Sequence, residues 1–141
     1  MNPISEDMAQ LLVQGGIGEF ANPDMDWSIF TVEEPPNDPL RCVTLYETPG
    51  TETHFTNQRH SLFASGFQVR VRSFEHLEGW EKIIEIRDIL NGKINFEVNG
   101  QGYGAILTDG GQPLPLPKDD KDRHIWVQSF VGHRKGGGDH G

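Results

Sequence analysis

The stretch from Phe67 to Leu90 constrains the fold of this chain more than any other part of its sequence. Phe67, Val69 and Val71 alternate with Gln68, Arg70 and Arg72, the period of two that a strand with one apolar face requires. At Ser73 the period changes to about 100° per residue. Leu77, Trp80, Ile83, Ile84, Ile86 and Leu90 then cover a wide arc, and Glu78, Glu81, Lys82, Glu85 and Asp88 occupy the remainder. Ser73 predicts the helix cap and Asn91-Gly92 its left-handed stop. Arg87 falls inside the apolar arc, so its stem should lie on the core and its head should reach a carboxylate or another subunit. The arc is wider than one sheet contact needs, which predicts a second burying surface.

The flanking segments supply the other elements. Asn2-Pro3 predicts an N-cap and first helical residue, with Glu6 and Asp7 at the favourable end of the helix dipole and Gly15-Gly16 as the stop. Ile4, Met8, Leu11 and Leu12 recur at helical spacing. Strands are predicted at Trp27–Val32 and Arg41–Thr48, with Val43 and Leu45 on one face and Cys42, Thr44 and Tyr46 on the other. Between them Pro35, Pro36 and Pro39 require a loop, since proline cannot donate to a ladder. Thr51 to Ser61 is polar and aperiodic, and predicts a long loop or interaction arm. Ile94, Phe96 and Val98 alternate up to Asn99-Gly100, a strong hairpin signal, and Gly104–Asp109 is the return strand. Gly110–Pro117 carries alternating prolines and predicts a polyproline-like extension, followed by a charged turn from Lys118 to Arg123. Ile125–His133 is apolar on both faces and predicts a strand buried on both sides. The order α-β-β-β-α-β-β-β predicts an α+β fold, a mostly antiparallel sheet of about six strands with two helices. Residues 1–135 are expected to form one domain and residues 136–141 a flexible Gly/His tail.

Composition narrows the function. Twelve basic and 21 acidic residues give a net charge of −9, the wrong sign for non-specific binding to DNA or to an anionic membrane. No apolar run approaches the roughly 20 residues that span a bilayer, and the N-terminus lacks the basic region of a signal peptide. These features predict an intracellular soluble protein, or part of something assembled inside a cell. The lone Cys42 excludes an internal disulfide, and on a strand it reads as a packing residue.

No catalytic or cofactor motif stands out. The six histidines have no zinc-ligand spacing, and Asp119-Asp120-Lys121-Asp122 lacks the glycine and distant glutamate of a calcium loop. Gly100-Gln101-Gly102-Tyr103-Gly104 joins two strands and opens no helix, so it cannot cradle a phosphate. Arg70 and Arg72 read as cross-strand salt-bridge partners. A small hydrolase using Glu33, Glu34 or Asp120 would need carboxylates converging in a pocket. What the sequence does offer is apparatus for meeting other proteins: a proline-rich extension, a polar loop and excess apolar helix surface.

The order of these pieces resembles the tail terminator and minor capsid proteins of long-tailed bacteriophages. The resemblance runs from the first helix to about Arg134. It is carried by Leu11-Leu12-Val13-Gln14-Gly15-Gly16-Ile17-Gly18, Val43-Thr44-Leu45-Tyr46-Glu47-Thr48-Pro49-Gly50, and Phe67–Ser73 feeding a helix that ends Ile89-Leu90-Asn91-Gly92. It implies a homo-hexameric ring at the head-proximal end of the tail, assembled in the bacterial host cytoplasm. There the ring stops the tail tube protein from polymerising and presents a surface to the head-tail connector protein. It also implies a channel through which DNA passes without sequence-specific binding. The family carries no catalytic residues and no cofactor. A head-closure protein of the same virion shares this size and composition. By element, the expected interaction residues are Glu52, His54 and Arg59 in the polar loop, Arg70 and Arg72 on the strand and Arg87 on the helix. Leu114, Leu116, Asp119 and Asp120, in and after the proline-rich extension, complete the set.

Overall fold

The computed structural model describes residues 2–49, 55–57 and 60–136, with the side chains of 55–57 and 60–62 left aside. Its elements are α1 (Ile4–Gln14), β1 (Ser28–Thr31), β2 (Cys42–Thr48), β3 (Phe55–Asn57), β4 (His60–Ser73), α2 (His76–Leu90), β5 (Ile94–Val98), β6 (Gln101–Leu116) and β7 (His124–Lys135). The expected α+β arrangement is present. Six strands form one path in the order β1-β2-β4-β7-β6-β5, and the three-residue β3 hangs on β4. All pairings are antiparallel except β1 with β2, which is parallel. β7 lies at the centre, and its buried run Ile125–Gln128 shows both of its faces covered there.

Register assigns the side chains to faces. Val43, Leu45 and Glu47 of β2 share a face with Val71, Val69 and Phe67 of β4 and with Trp126, Gln128 and Phe130 of β7. Ile106 and Tyr103 of β6 continue it. Both helices cover this face, joining Ile4, Met8, Leu11 and Leu12 of α1 and Ile83, Ile86 and Leu90 of α2 to its strands in one core. Each such side chain contributes about 1.5–3 kcal/mol by leaving water. The Phe67 and Phe130 rings stack at 5.1 Å. Asp7, fully buried on α1, accepts from Tyr103 Oη at 2.5 Å and from Asn99 Nδ2 at 3.1 Å, tying the helix to the β5–β6 hairpin.

Several local expectations are corrected. α1 starts at Ile4 with Pro3 in the cap position, and the carboxylate of Glu47 receives the Ser5 N–H at 2.8 Å, so a strand caps this helix. Ser73 is not the cap of α2. Glu75 holds that place, while the Ser73 hydroxyl donates to Glu78 at 2.7 Å and receives the Glu75 N–H. β1 is shorter than predicted because Trp27 and Val32, on either side of it, have φ of 63° and 78°. The segment expected as a polar loop contains strand: Phe55–Asn57 pairs with His60–Leu62, extending β4 beyond the main sheet. The expected polyproline extension is the second half of β6, rejoined to β7 after an irregularity between Asp109 and Leu114. Asn99 and Gly100 both have positive φ, giving the tight two-residue turn that Asn-Gly favours.

Candidate docking face of the sheet

The face opposite the helices divides into a covered end and an open half. Cys42 and Thr44 of β2, Arg72 and Arg70 of β4 and Ile125 and Val127 of β7 line up across the covered end. Its cover is the proline loop between β1 and β2, held by its main chain. Arg72 donates to the carbonyls of Pro35 and Pro39, the second at 2.6 Å. Arg123, just before β7, donates to the carbonyls of Pro36 and Asn37, each at 2.7 Å. Glu34 completes the closure, accepting from Arg70 Nε at 3.1 Å and lying 3.6 Å from Arg72. Charge-assisted bonds of this kind are roughly twice as strong as neutral ones, and in a dry site both partners are needed.

Beyond this end the loop reaches only Tyr46, through the Glu34 main chain, and the remaining rows of this face have no other cover among the described residues. Across them run Tyr46, Gln68, Ser129 and Asp109, then Thr48, Gly66, Val131 and Leu107, with His133, Ala105 and Ile94 beyond. Leu114 sits beside Val127 at the border. Ile94, Leu107 and Leu114 are 63%, 48% and 61% exposed. Large apolar side chains gathered on one open sheet face mark an interaction surface, whereas single ones scattered over a surface do not.

The predicted interaction residues fall in different places. Leu114 and Leu116 belong to this face, and Arg70 and Arg72 lie at its covered end. Arg72, read from the alternation as facing outward, is on the non-helical face as predicted but only 1% exposed, because the loop closes over it. Its partner and that of Arg70 is Glu34 of the loop, so the expected cross-strand bridges are replaced. Asp119 organises the turn before β7, accepting from the main chain of Lys121 and Arg123 and from Arg123 Nε. Asp120 is exposed in that turn. Arg87 lies on α2 with its buried Nε unpartnered, so it reaches no carboxylate among the described residues. Leu77, placed in the apolar arc, is 68% exposed. Glu52, His54 and Arg59 lie outside the described residues, as does the tail from 137 onward. Sequence reasoning missed Ile94 and Leu107 as surface groups. The signal was there: Ile106-Leu107 puts apolar side chains on both faces of one strand.

Residues 11–133 match the family profile of the bacteriophage tail terminator protein. The chain belongs to this family. The fold resembles a chain from the virion of a native gene transfer agent particle, with a TM-score of 0.61 at 10% identity, covering 95% of this chain and 96% of that one. No curated protein matches the chain in sequence.

Several arginines of this family member are engaged within its own fold. Arg72, Arg123 and Arg134 are at most 5% exposed, and Arg41 is shared between Asp26 and Glu78. Acids are withdrawn with them, Asp7 being fully buried and Glu34 and Asp119 largely so, and the surface keeps the acidic sign of the net charge of −9. Its perturbed carboxylates are all ionised. Burial works against the charge of Asp119, but the Arg123 and Lys121 N–H groups and the Arg123 guanidinium hold its carboxyl below the usual range. Glu78 is likewise opposed by burial and lowered by Ser73 and Arg41. Burial pushes the Cys42 thiol up to about 11, which makes it a poor nucleophile. Among the described residues no group of three or more His, Cys, Asp or Glu could hold a metal ion, and no helix is long and apolar enough to cross a membrane.

Proposed function

We propose that this chain acts as the tail terminator of its virion, without catalysis. Copies associate into a homo-hexameric ring at the head-proximal end of the tail tube, in the bacterial cytoplasm. The ring stops tube growth and offers the head-tail connector a surface, leaving a channel for DNA. The match of residues 11–133 to the tail terminator family carries this reading. Two physical features agree with it. The open sheet face offers apolar area for contact with another copy or with the tube, and a stable subunit contact needs about 800 Å² from each partner. The net charge of −9 makes the exterior acidic, and an acidic wall repels phosphate, so that DNA passes without adhering.

Light scattering with negative-stain imaging tests the assembly, alone and with tail tubes added. The expected result is rings, free or seated on tube ends. Leu107→Glu with Leu114→Glu should abolish them while leaving the melting temperature within a few degrees, since both side chains are exposed. Tail length in a phage lacking the gene tests the role. Abnormally long tubes without heads are expected, whereas normal tails beside unjoined heads would refute termination and favour head closure.

A further inference from the structure

A sheet that meets other proteins must protect its edges, because an unpaired strand is a template for strand addition. At one end of this sheet, residues 19–21 run along β1. The Ile29 N–H bonds the Glu19 carbonyl and the Ala21 N–H bonds the Ile29 carbonyl, so that edge is occupied. At the other end, β5 covers β6 only as far as Ala105. Lys93 and Gly92 satisfy Ile106, and the Asn91 side chain receives the Thr108 N–H at 3.0 Å. From Asp109 to Leu116 the outer edge of β6 has no neighbour among the described residues. It is longer than the outer edge of the five-residue β5.

This edge carries Pro113, Pro115 and Pro117, one proline at every second position. The register fixes where the nitrogen of Pro115 points. Pro115 pairs with Trp126, between the pairs Leu114–Val127 and Leu116–Ile125. Proline has no N–H to give, so Pro115–Trp126 must be a non-hydrogen-bonded pair, and Leu114 and Leu116 exchange their bonds with β7. In antiparallel pairing the two main-chain groups of a non-hydrogen-bonded residue face away from the partner strand. The nitrogen of Pro115 therefore faces outward, toward any incoming strand. Pro113 and Pro117 flank it at the same spacing, Pro113 buried and Pro117 exposed.

We propose that this proline repeat is a stop against sheet extension, which compels copies of the chain to associate through surfaces other than edge-to-edge strand pairing. An added antiparallel strand needs outward donors and acceptors in alternation. Here the acceptors remain and the donor at position 115 has been removed, with prolines again two residues to either side. The inference goes beyond the assignment as a tail terminator and does not depend on a ring.

The test restores the missing donors with Pro115→Thr and Pro117→Thr, both at exposed positions. In dilute solution the amide introduced at 115 should exchange its hydrogen like an open chain, while those of Leu114 and Leu116 stay protected. As concentration rises, that amide should become protected and the mass should grow beyond the parent's own species, by roughly a factor of two when one edge meets another. If the doubly substituted chain does not fold, Pro115→Thr alone gives the same readings. Gln112→Thr, at an exposed position of the same edge and leaving every proline in place, should keep the parent's mass. An introduced amide protected at every concentration, a mass equal to the parent's throughout, or equal growth in Gln112→Thr would each overturn the proposal.

Discussion

The docking of α1 onto the sheet turns on one absent side chain. A Cβ placed on Gly132 would lie 2.6 Å from Ile4 Cδ1, while its next neighbours, on the Tyr103 ring, stand at 3.5 and 3.8 Å. Ile4 is 1% exposed, so its terminal methyl has no open space to enter. Gly132→Ala should therefore cost about 1–3 kcal/mol through overpacking. Ile4→Val removes the methyl that clashes and alone should cost about 1 kcal/mol. Together the two should cost less than the sum of their separate costs. With Cδ1 gone the new methyl meets only ordinary contacts, and alanine restricts the unfolded chain by about 0.5–1 kcal/mol relative to glycine. The expected coupling is about 1–2 kcal/mol in favour of the pair. Urea unfolding followed by tryptophan fluorescence and far-ultraviolet dichroism at pH 7 measures all four chains. Costs that add within about 0.5 kcal/mol would show that Ile4 is not what Gly132 makes room for, and the packing argument would fail.

Three further outcomes follow from other parts of the molecule. Arg72→Met should destabilise by about 2–4 kcal/mol and open the 33–39 loop to protease, because two carbonyls and Glu34 lose a buried donor; unchanged cleavage there would show that Arg72 does not hold the loop. Asp119 has a lowered pKa, so its contribution is present above the unfolded value, about 3.9, and is lost as pH falls through the folded value. Asp119→Asn should thus cost about 1 kcal/mol at pH 7, and the gap from the parent should shrink as pH falls below about 3.9; a gap that stays constant contradicts the ion pairing. Cys42 is buried with its thiol near 11, which leaves about one thiolate in a thousand at pH 8. A thiol reagent should label it only as fast as the native state opens, and immediate labelling would count against its burial.

What could be read in the sequence was whatever one period or one turn signals by itself. The β4 alternation, the switch to helical spacing after Ser73, the Asn99-Gly100 turn and the first half of β7, buried on both sides, are of this kind; the expected double burial stops at Gln128 because the open face leaves Ser129, Val131 and His133 without a covering layer. The parts that could not be read depend on partners distant in the chain. Arg72 alternates as a solvent-facing residue, and only the loop 33 to 37 positions upstream buries it. Glycines and prolines between 110 and 115 suggest loss of strand, yet an edge position tolerates proline and an irregularity absorbs the glycines, so β6 continues to Leu116. The parallel β1–β2 pair joins two short stretches whose mutual orientation no local pattern encodes. On the open face, the exposure of Leu114 and Leu116 was legible from their proline-rich setting. Ile94 and Leu107 were read as strand interior because the absence of a second covering layer is a property of the whole sheet.

The guanidinium grip on residues 35–39 engages carbonyl oxygens, which every amino acid possesses. Substitutions in that connection need preserve only its backbone path, so its side chains are free to diverge while Arg72 and Arg123 are not. Related chains could thus present quite different chemistry at this end of the molecule on an unaltered scaffold, making the segment a place where a new neighbour can be accommodated without rebuilding the domain beneath it.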